Sequence, residues 1–489
     1  MRWQGVSALC PDGARALNLI ENFLSEAERR PQQTAIIDRK GRSISYAALA
    51  KRSADLAAAF AAKGIGKGDR VLIGTFPGIG LYAGLAALWR LGAVVVFPEP
   101  AMGLAGFRHA AKVTRPKALL ASWPIGCLAW FFPETRSIST RLSAGAIGHG
   151  DEGQCLPLKP DDPALISFTS GSTRKPKAIE RTHGLMRAQH LALASLIGSD
   201  HGPEIDIVAF PAFVLTCIGH GSTAVMPNWN LRRHDRMPPE RLKELAETTG
   251  ATRLLVPPVV VSRLVGSTLP SSVSRVMTGG GPLYPDVARA FLAAHRGIGL
   301  TNVYGSTEAE PISHAHLEEL TDADWDAAAA GRGLPVGVPV PEVRLRFVDD
   351  EIQVAGPHVN RGYLDPSQDR DTKVADGDTI WHRTGDAGRL DEDGRLWLLG
   401  RHGAAKDGLF AFSVETAARL WPSVTGAAFA VDDAGEPVLF LCGDASHLPD
   451  WQSRAGSIGR FEISVVDEIP MDRRHRSKPD LRTLLDQRG

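Results

Sequence analysis

Ile166-Ser-Phe-Thr-Ser-Gly-Ser-Thr-Arg-Lys-Pro-Lys177 is the stretch from which the rest of the chain can be read. An apolar strand runs into a loop dense in hydroxyls, with one glycine and two lysines, and helical spacing resumes at His183. Small residues let backbone N–H groups and hydroxyls close around phosphate oxygens, and the lysines supply charge. A nucleotide phosphate loop is the natural reading; a plain Ser/Thr-rich surface turn has the same composition. It is not a Walker A loop. Counted from Gly171, that pattern needs glycine at 176 and Ser or Thr at 178, where Pro176 and Ala178 stand.

Outward from this loop, short apolar runs alternate with helical patterns from Ile36 to about Val303. The runs include Arg70–Ile73, Ala93–Phe97, Ala164–Phe168, Ile205–Phe210, Arg253–Val256, Arg275–Met277 and Gly299–Val303. Leu49–Ala62, Leu185–Leu196 and Pro239–Glu247 carry helical spacing between them. The alternation predicts α/β layers with largely parallel sheets. After about Gly331 the texture changes. Val343–Phe347, Glu351–Val354 and Arg395–Leu399 alternate at period two, with turn signals such as Asp391-Glu-Asp-Gly394 between them, which predicts a small β-rich subdomain. From about Arg401, short strands at Ala427–Val431, Val438–Cys442 and Ile463–Val466 mix with helices. This predicts an α+β C-terminal domain over 401–489, joined near His402-Gly403 to an N-terminal domain over 1–400.

The chain has 489 residues, 43% hydrophobic and 22% charged, with 55 Lys plus Arg against 55 Asp plus Glu. That is an ordinary globular composition, long enough for a large core. The balance gives no sign of nucleic acid or an anionic membrane as partner. Five scattered cysteines (Cys10, Cys127, Cys155, Cys217, Cys442) form no CxxC pair, so neither a disulfide frame nor a zinc site is indicated. The most apolar region, Val71–Trp89, is broken by Pro77 and four glycines and ends at Arg90; it reads as strand, turn and packed helix, not a membrane span. The N-terminus lacks the apolar core of a signal peptide, and the expected location is cytoplasmic.

Thr169-Ser-Gly-Ser-Thr173 with Pro176-Lys177 resembles the signature loop of the adenylate-forming superfamily of acyl-CoA synthetases, peptide-synthetase adenylation domains and luciferase. Further motifs follow in the right order. Thr278-Gly-Gly-Gly-Pro-Leu283 resembles the adenine-contacting turn, through Gly279, Gly280, Gly281 and Pro282. Asn302-Val-Tyr-Gly-Ser-Thr-Glu308 resembles the next motif. Thr384-Gly-Asp386 and Arg401 resemble the ribose-binding pair, Gly408 and Glu415 fit a C-terminal-domain motif, and Lys478 stands in Met471-Asp-Arg-Arg-His-Arg-Ser-Lys478. The resemblance implies roles for these positions. Thr169, Ser170, Gly171, Ser172, Thr173 and Lys177 would hold phosphates, and Tyr304 would stack on adenine. Thr307 would contact phosphate, Glu308 would bind Mg²⁺, and Asp386 would accept from the ribose hydroxyls. Lys478 would stabilise charge on the α-phosphate and carboxylate. The implied cosubstrate is ATP, and the implied active site lies between a large N-terminal domain and a small mobile C-terminal one.

Within the superfamily, Pro98-Glu-Pro-Ala-Met-Gly103, Tyr304-Gly-Ser-Thr-Glu-Ala-Glu-Pro311, Trp381-His-Arg-Thr-Gly-Asp386 with Gly394-Arg-Leu-Trp397, and Asp472-Arg-Arg-His475 with Lys478 look like the olefin β-lactone synthetases. That similarity implies a long-chain 3-hydroxy fatty acid as substrate and association with neighbouring pathway enzymes. An acyl-CoA or carrier-protein ligase and a non-catalytic nucleotide-binding homologue are the alternatives. Departures from the superfamily pattern are Arg174 and Ala178 in the signature loop, Val214 after Pro211-Ala-Phe213, Gly403 two residues after Arg401, and Ser477 before the lysine. For the base that takes the hydroxyl proton, His220, His314 and His316 stand near motifs. Phe213, Leu215 and Ile218 suit an alkyl chain or a core equally well.

Overall fold

The computed structural model of the chain describes residues 17–98, 102–169, 176–198, 202–471 and 479–488. The fold is α/β and divides into two compact units, the first formed by 1–228 with 357–370 and the second by 229–356 with 371–489.

In the first unit, a six-stranded sheet runs in the order Thr140–Leu142, Ala118–Ala121, Arg70–Gly74, Val94–Phe97, Pro163–Thr169, Lys177–Thr182. The first five strands are parallel and the last is antiparallel. Val-, Ile- and Leu-rich runs such as Val94-Val-Val96 are fully buried, as strands covered on both faces must be. The helix Ile79–Arg90 is apolar all round and buried from Leu81 to its end. Its terminal Arg90 is buried too. Its guanidinium donates to the Glu152 and Gln154 carbonyls at 2.8 Å each and to Ser53 Oγ at 2.9 Å, which makes the buried cation tolerable. A second set of strands in this unit pairs Ser43–Ser45, Thr34–Ile37, Thr223–Val225 and Ile205–Val208 in that order. The helix His183–Ile197 starts where Thr182 Oγ1 accepts from Leu185 N–H at 3.1 Å.

The second unit begins with three parallel strands, Arg253–Leu255, Arg275–Gly279 and Gly299–Ser306. The chain then turns back. Ala309–His316, Leu334–Pro339, Leu396–Arg401, Thr379–Leu390, Glu351–Ala355 and Arg344–Val348 extend the sheet in antiparallel fashion. This is the β-rich region the period-two patterning predicts. Past a 3-10 turn at His402–Ala404, a three-stranded sheet of Val424–Val431, Pro437–Gly443 and Glu462–Val465 packs with helices Ala411–Ala418 and Leu448–Ile458 around Val414, Phe429 and Trp451. Leu484, from the helix Leu481–Arg488, packs on Ala428 and Phe440. Among the described residues, no helix is long and apolar enough to cross a membrane.

Lys177–Thr182 is a strand, standing between the hydroxyl-rich loop and the helix at His183 that the sequence reading joins directly. Gly299–Ser306 turns straight back into Ala309–His316 as a β-hairpin.

Candidate active site

In the first unit, the signature loop springs from the carboxyl end of Pro163–Thr169 and returns along Lys177–Thr182, with Thr169 directly opposite Lys177. Ligands of open α/β sheets gather at such carboxyl ends. Thr169 is buried, and Lys177 Nζ lies 4.7 Å from the centroid of the Tyr363 ring, a cation–π contact that fixes the ammonium. Tyr363 belongs to a segment that covers the hairpin edge: Leu364 N–H donates to the Ala178 carbonyl at 2.9 Å, and Asn360 Nδ2 donates to the Glu180 carbonyl at 3.3 Å. His109 Nε2 lies 3.2 Å from the Pro176 carbonyl. Ser170, Gly171, Ser172, Thr173 and Arg174 lie outside the described residues, as does Lys478.

In the second unit, the glycine turn follows Arg275–Gly279, which runs parallel to Gly299–Ser306 with Gly279 opposite Val303. A Cβ on Gly279 would stand 2.6 Å from the Val303 carbonyl oxygen, so only glycine fits this approach. Gly280 has φ +76°, a left-handed conformation that glycine adopts without strain. Gly281 and Pro282 continue the turn. Beside this cradle, Thr278 Oγ1 and Ser306 Oγ are buried and have no hydrogen-bond partner among the described residues. Buried hydroxyls are rarely left so. A ligand rich in ring nitrogens and hydroxyls, as ATP is, fits both the cradle and the orphaned groups.

Tyr304, Asp386 and Arg401, drawn from separate sequence motifs, form one network. Asp386 and Arg401 are cross-strand partners. Tyr304 Oη donates to Asp386 Oδ2 at 2.9 Å, while Arg401 Nη1 stands 3.2 Å from Asp386 Oδ1 and donates to the Thr384 carbonyl at 3.3 Å. Burial, then the adjacent carboxylate, push the Tyr304 phenol well above its usual range, so it stays a neutral donor. Thr384 Oγ1 accepts from Asp386 N–H at 3.1 Å, and Gly385 takes φ +71° to make the kink. Thr307 and Glu308 are the two residues at the tip of the hairpin, between paired Ser306 and Ala309. No group of three or more His, Cys, Asp or Glu that could hold a metal occurs among the described residues. Mg²⁺ is usually held by one or two carboxylates plus substrate phosphates, a donor set to which Glu308 could contribute one carboxylate.

The histidines separate. His314 is paired with Val303 and His316 with Thr301, so both project from the face opposite to that of Tyr304. His316 Nδ1 meets Thr301 Oγ1 at 3.0 Å and Arg275 Nη1 at 3.1 Å, a structural set completed by Glu318. His220, in the first unit, lies against His190 with ring centroids 3.9 Å apart, and its Nδ1 is 2.9 Å from the Thr216 carbonyl. Ile218 is core, buried with Val214 and Cys217; Phe213 and Leu215 on the same helix are partly exposed.

Gly408 has φ +79°. Glu415 is buried, accepting from Phe429 N–H at 2.8 Å and from the Tyr284 hydroxyl. Arg419 pairs with Asp286 at 2.7 Å and lies over the Tyr284 ring at 4.6 Å. The Tyr284–Glu415 contact ties the C-terminal helix Ala411–Ala418 to the segment just after the glycine turn. Nothing in the sequence signals Tyr284 or Tyr363 as partners of motif residues.

The architecture matches the solved amide bond synthetase from Marinactinospora thermotolerans at a TM-score of 0.78, covering 96% of this chain and 99% of that one at 23% identity. A family model described as AMP-binding enzyme matches residues 23–364, and the chain belongs to this family of adenylate-forming ligases. It is 30% identical to an olefin β-lactone synthetase from Stenotrophomonas maltophilia, over 95% of this chain and 96% of the relative. It is 27% identical to a feruloyl-CoA synthase from an Amycolatopsis species, over 77% of each.

Proposed function

We propose that the chain activates a long-chain 3-hydroxy fatty acid as its acyl adenylate and then closes it to a β-lactone, releasing AMP. The observation that carries the activation step is the Tyr304–Asp386–Arg401 network beside a glycine cradle with orphaned hydroxyls. The lactone step is supported by similarity to an olefin β-lactone synthetase along nearly the whole chain.

In the first step, a carboxylate oxygen bonds to the α-phosphorus of ATP and the bond to pyrophosphate breaks. The loop Thr169–Lys177 and Thr307 hold phosphate oxygens, Tyr304 and the glycine turn hold adenine, and Asp386 with Arg401 positions ribose. Lys478 spreads charge on the pentavalent phosphorus. Mg²⁺ at Glu308, when bound, neutralises phosphate charge. In the second step, the substrate's β-hydroxyl oxygen bonds to the acyl carbon, its proton passes to solvent water, and the carbon–oxygen bond to AMP breaks. The four-membered ring is strained, but the attack is intramolecular and the adenylate is a reactive acyl donor. No CoA is consumed.

ATP–pyrophosphate exchange measured over a panel of acids tests the activation. Exchange that rises with chain length supports a fatty acid substrate, and exchange confined to aromatic acids contradicts it. The second reading, a CoA ligase, is favoured by the feruloyl-CoA synthase similarity, and differs only in the acceptor of the acyl group.

A further inference from the structure

The segment after the strand Ala118–Ala121 puts its largest apolar side chains outside. Trp123 is 81% exposed, Phe131 79%, Trp130 58% and Leu128 42%. Single exposed hydrophobics need no explanation, but four within nine residues are a concentration that calls for a partner. This is not loose chain. Ala129, Ile138 and Thr135 are buried, and Ala129 and Ile138 join the core with Ala110, Ala111 and Phe168. Thr135 Oγ1 donates to the Ala129 carbonyl at 2.6 Å. The small residues anchor the segment and leave the aromatic ones facing out.

The surroundings are cationic. From Met102 to His149 the sequence has six Lys or Arg and one carboxylate, Glu134, in a chain whose charges otherwise balance. Leu104, Arg108, Lys112 and Arg115, spaced four, four and three apart, form one face along and just past the helix Gly103–Thr114. Arg108 reaches the same segment: it lies 4.8 Å from the ring centroid of Phe132, the residue after Phe131, and pairs with Glu134 at 2.9 Å. Arg141 lies 5.0 Å from the Trp130 ring centroid and donates to the Thr135 carbonyl at 2.8 Å. Lys112, Arg115 and Arg136 are exposed and make no ion pair among the described residues.

We propose that this face docks on an anionic lipid surface. Tryptophan and phenylalanine favour the boundary between headgroup and acyl chain, and neighbouring cations are drawn to acidic headgroups. The whole-chain neutrality that argues against a membrane partner in the sequence conceals this local excess. Docking would place the enzyme where a long-chain acid partitions, and the aromatic and basic side chains of this face would bind lipid whatever the acid.

The test is sedimentation of the full chain with vesicles of phosphatidylcholine, alone or with about 30% phosphatidylglycerol, in the absence of any substrate. The chain is expected to sediment with the acidic vesicles and to be released by salt. Lys112→Ala with Arg136→Ala should weaken binding roughly 25-fold, taking about fivefold per cation, and Trp123→Ala with Phe131→Ala should abolish it. Both variants should keep the parental rate of ATP–pyrophosphate exchange on a short, water-soluble acid, which separates loss of docking from misfolding. A chain that ignores acidic vesicles overturns the proposal. So does an aromatic variant that still binds them, or a parent chain that dimerises through this face and an aromatic variant that does not.

Discussion

The proposed recognition of the nucleotide rests on a few side chains whose contacts make separable predictions. Tyr304 has two parts, a ring proposed to stack on adenine and a hydroxyl that donates to Asp386. Tyr304→Phe removes one hydrogen bond and should weaken ATP binding by about 1 kcal/mol, roughly fivefold; Tyr304→Ala also loses the ring and should cost more, as isothermal titration would read. Equal losses in the two variants would mean the ring does not touch the base. Lys478→Ala should lower the rate of adenylation by about a hundredfold or more, with ATP binding kept, if the lysine acts on developing charge. Unchanged adenylation would remove that role. Tyr304, Asp386 and Arg401 were marked in the sequence by their resemblance to the superfamily's motifs, and the fold brings these three side chains together. Tyr284 and Tyr363 were not legible. Each meets its motif residue across a long loop of chain, and only the tertiary fold brings them together.

Among elements, the strand Lys177–Thr182 shows why pattern reading fails locally. It is the edge of its sheet and carries Lys177, Glu180 and Arg181, charges that blunt an edge and hide the strand's alternation. The glycine turn is the opposite case, since close backbone approach can be read from three consecutive glycines. Gly279→Ala should cost about 1–3 kcal/mol of stability, because its Cβ meets a backbone oxygen; a melt unchanged from the parent would place that oxygen elsewhere. The junction of the helix Ala411–Ala418 with Tyr284 predicts a pH dependence. Burial raises the Glu415 carboxyl from 4.5 to about 7, against the opposing pull of Tyr284, Phe429 N–H and Arg419. Between those values the folded chain holds a proton that the unfolded chain has released. The contribution is therefore fully present below about 4.5 and is lost as pH rises through about 7, by about 3 kcal/mol. Thermal melts should show Glu415→Gln gaining on the parent from pH 5 to pH 8. A constant difference between the two would contradict a raised carboxyl.

For the whole molecule, the α/β class, the β-rich region after Gly331 and the small C-terminal α+β body were all legible, because each has its own hydrophobic period. We propose 401–489 as the lid of a 1–400 catalytic domain. A balanced net charge says nothing of the basic, aromatic face around Trp123 and Phe131. What the acyl group is transferred to also escapes sequence and fold, since one architecture serves several acceptors. The acceptor decides which reaction the chain performs. The most direct measurement is a product assay with purified chain, ATP, Mg²⁺ and a long-chain 3-hydroxy acid, with and without CoA, read by mass spectrometry and NMR. Closure to a β-lactone gives a CoA-independent product lighter than the acid by one water, with AMP released. A CoA thioester, or AMP with neither product, would contradict it.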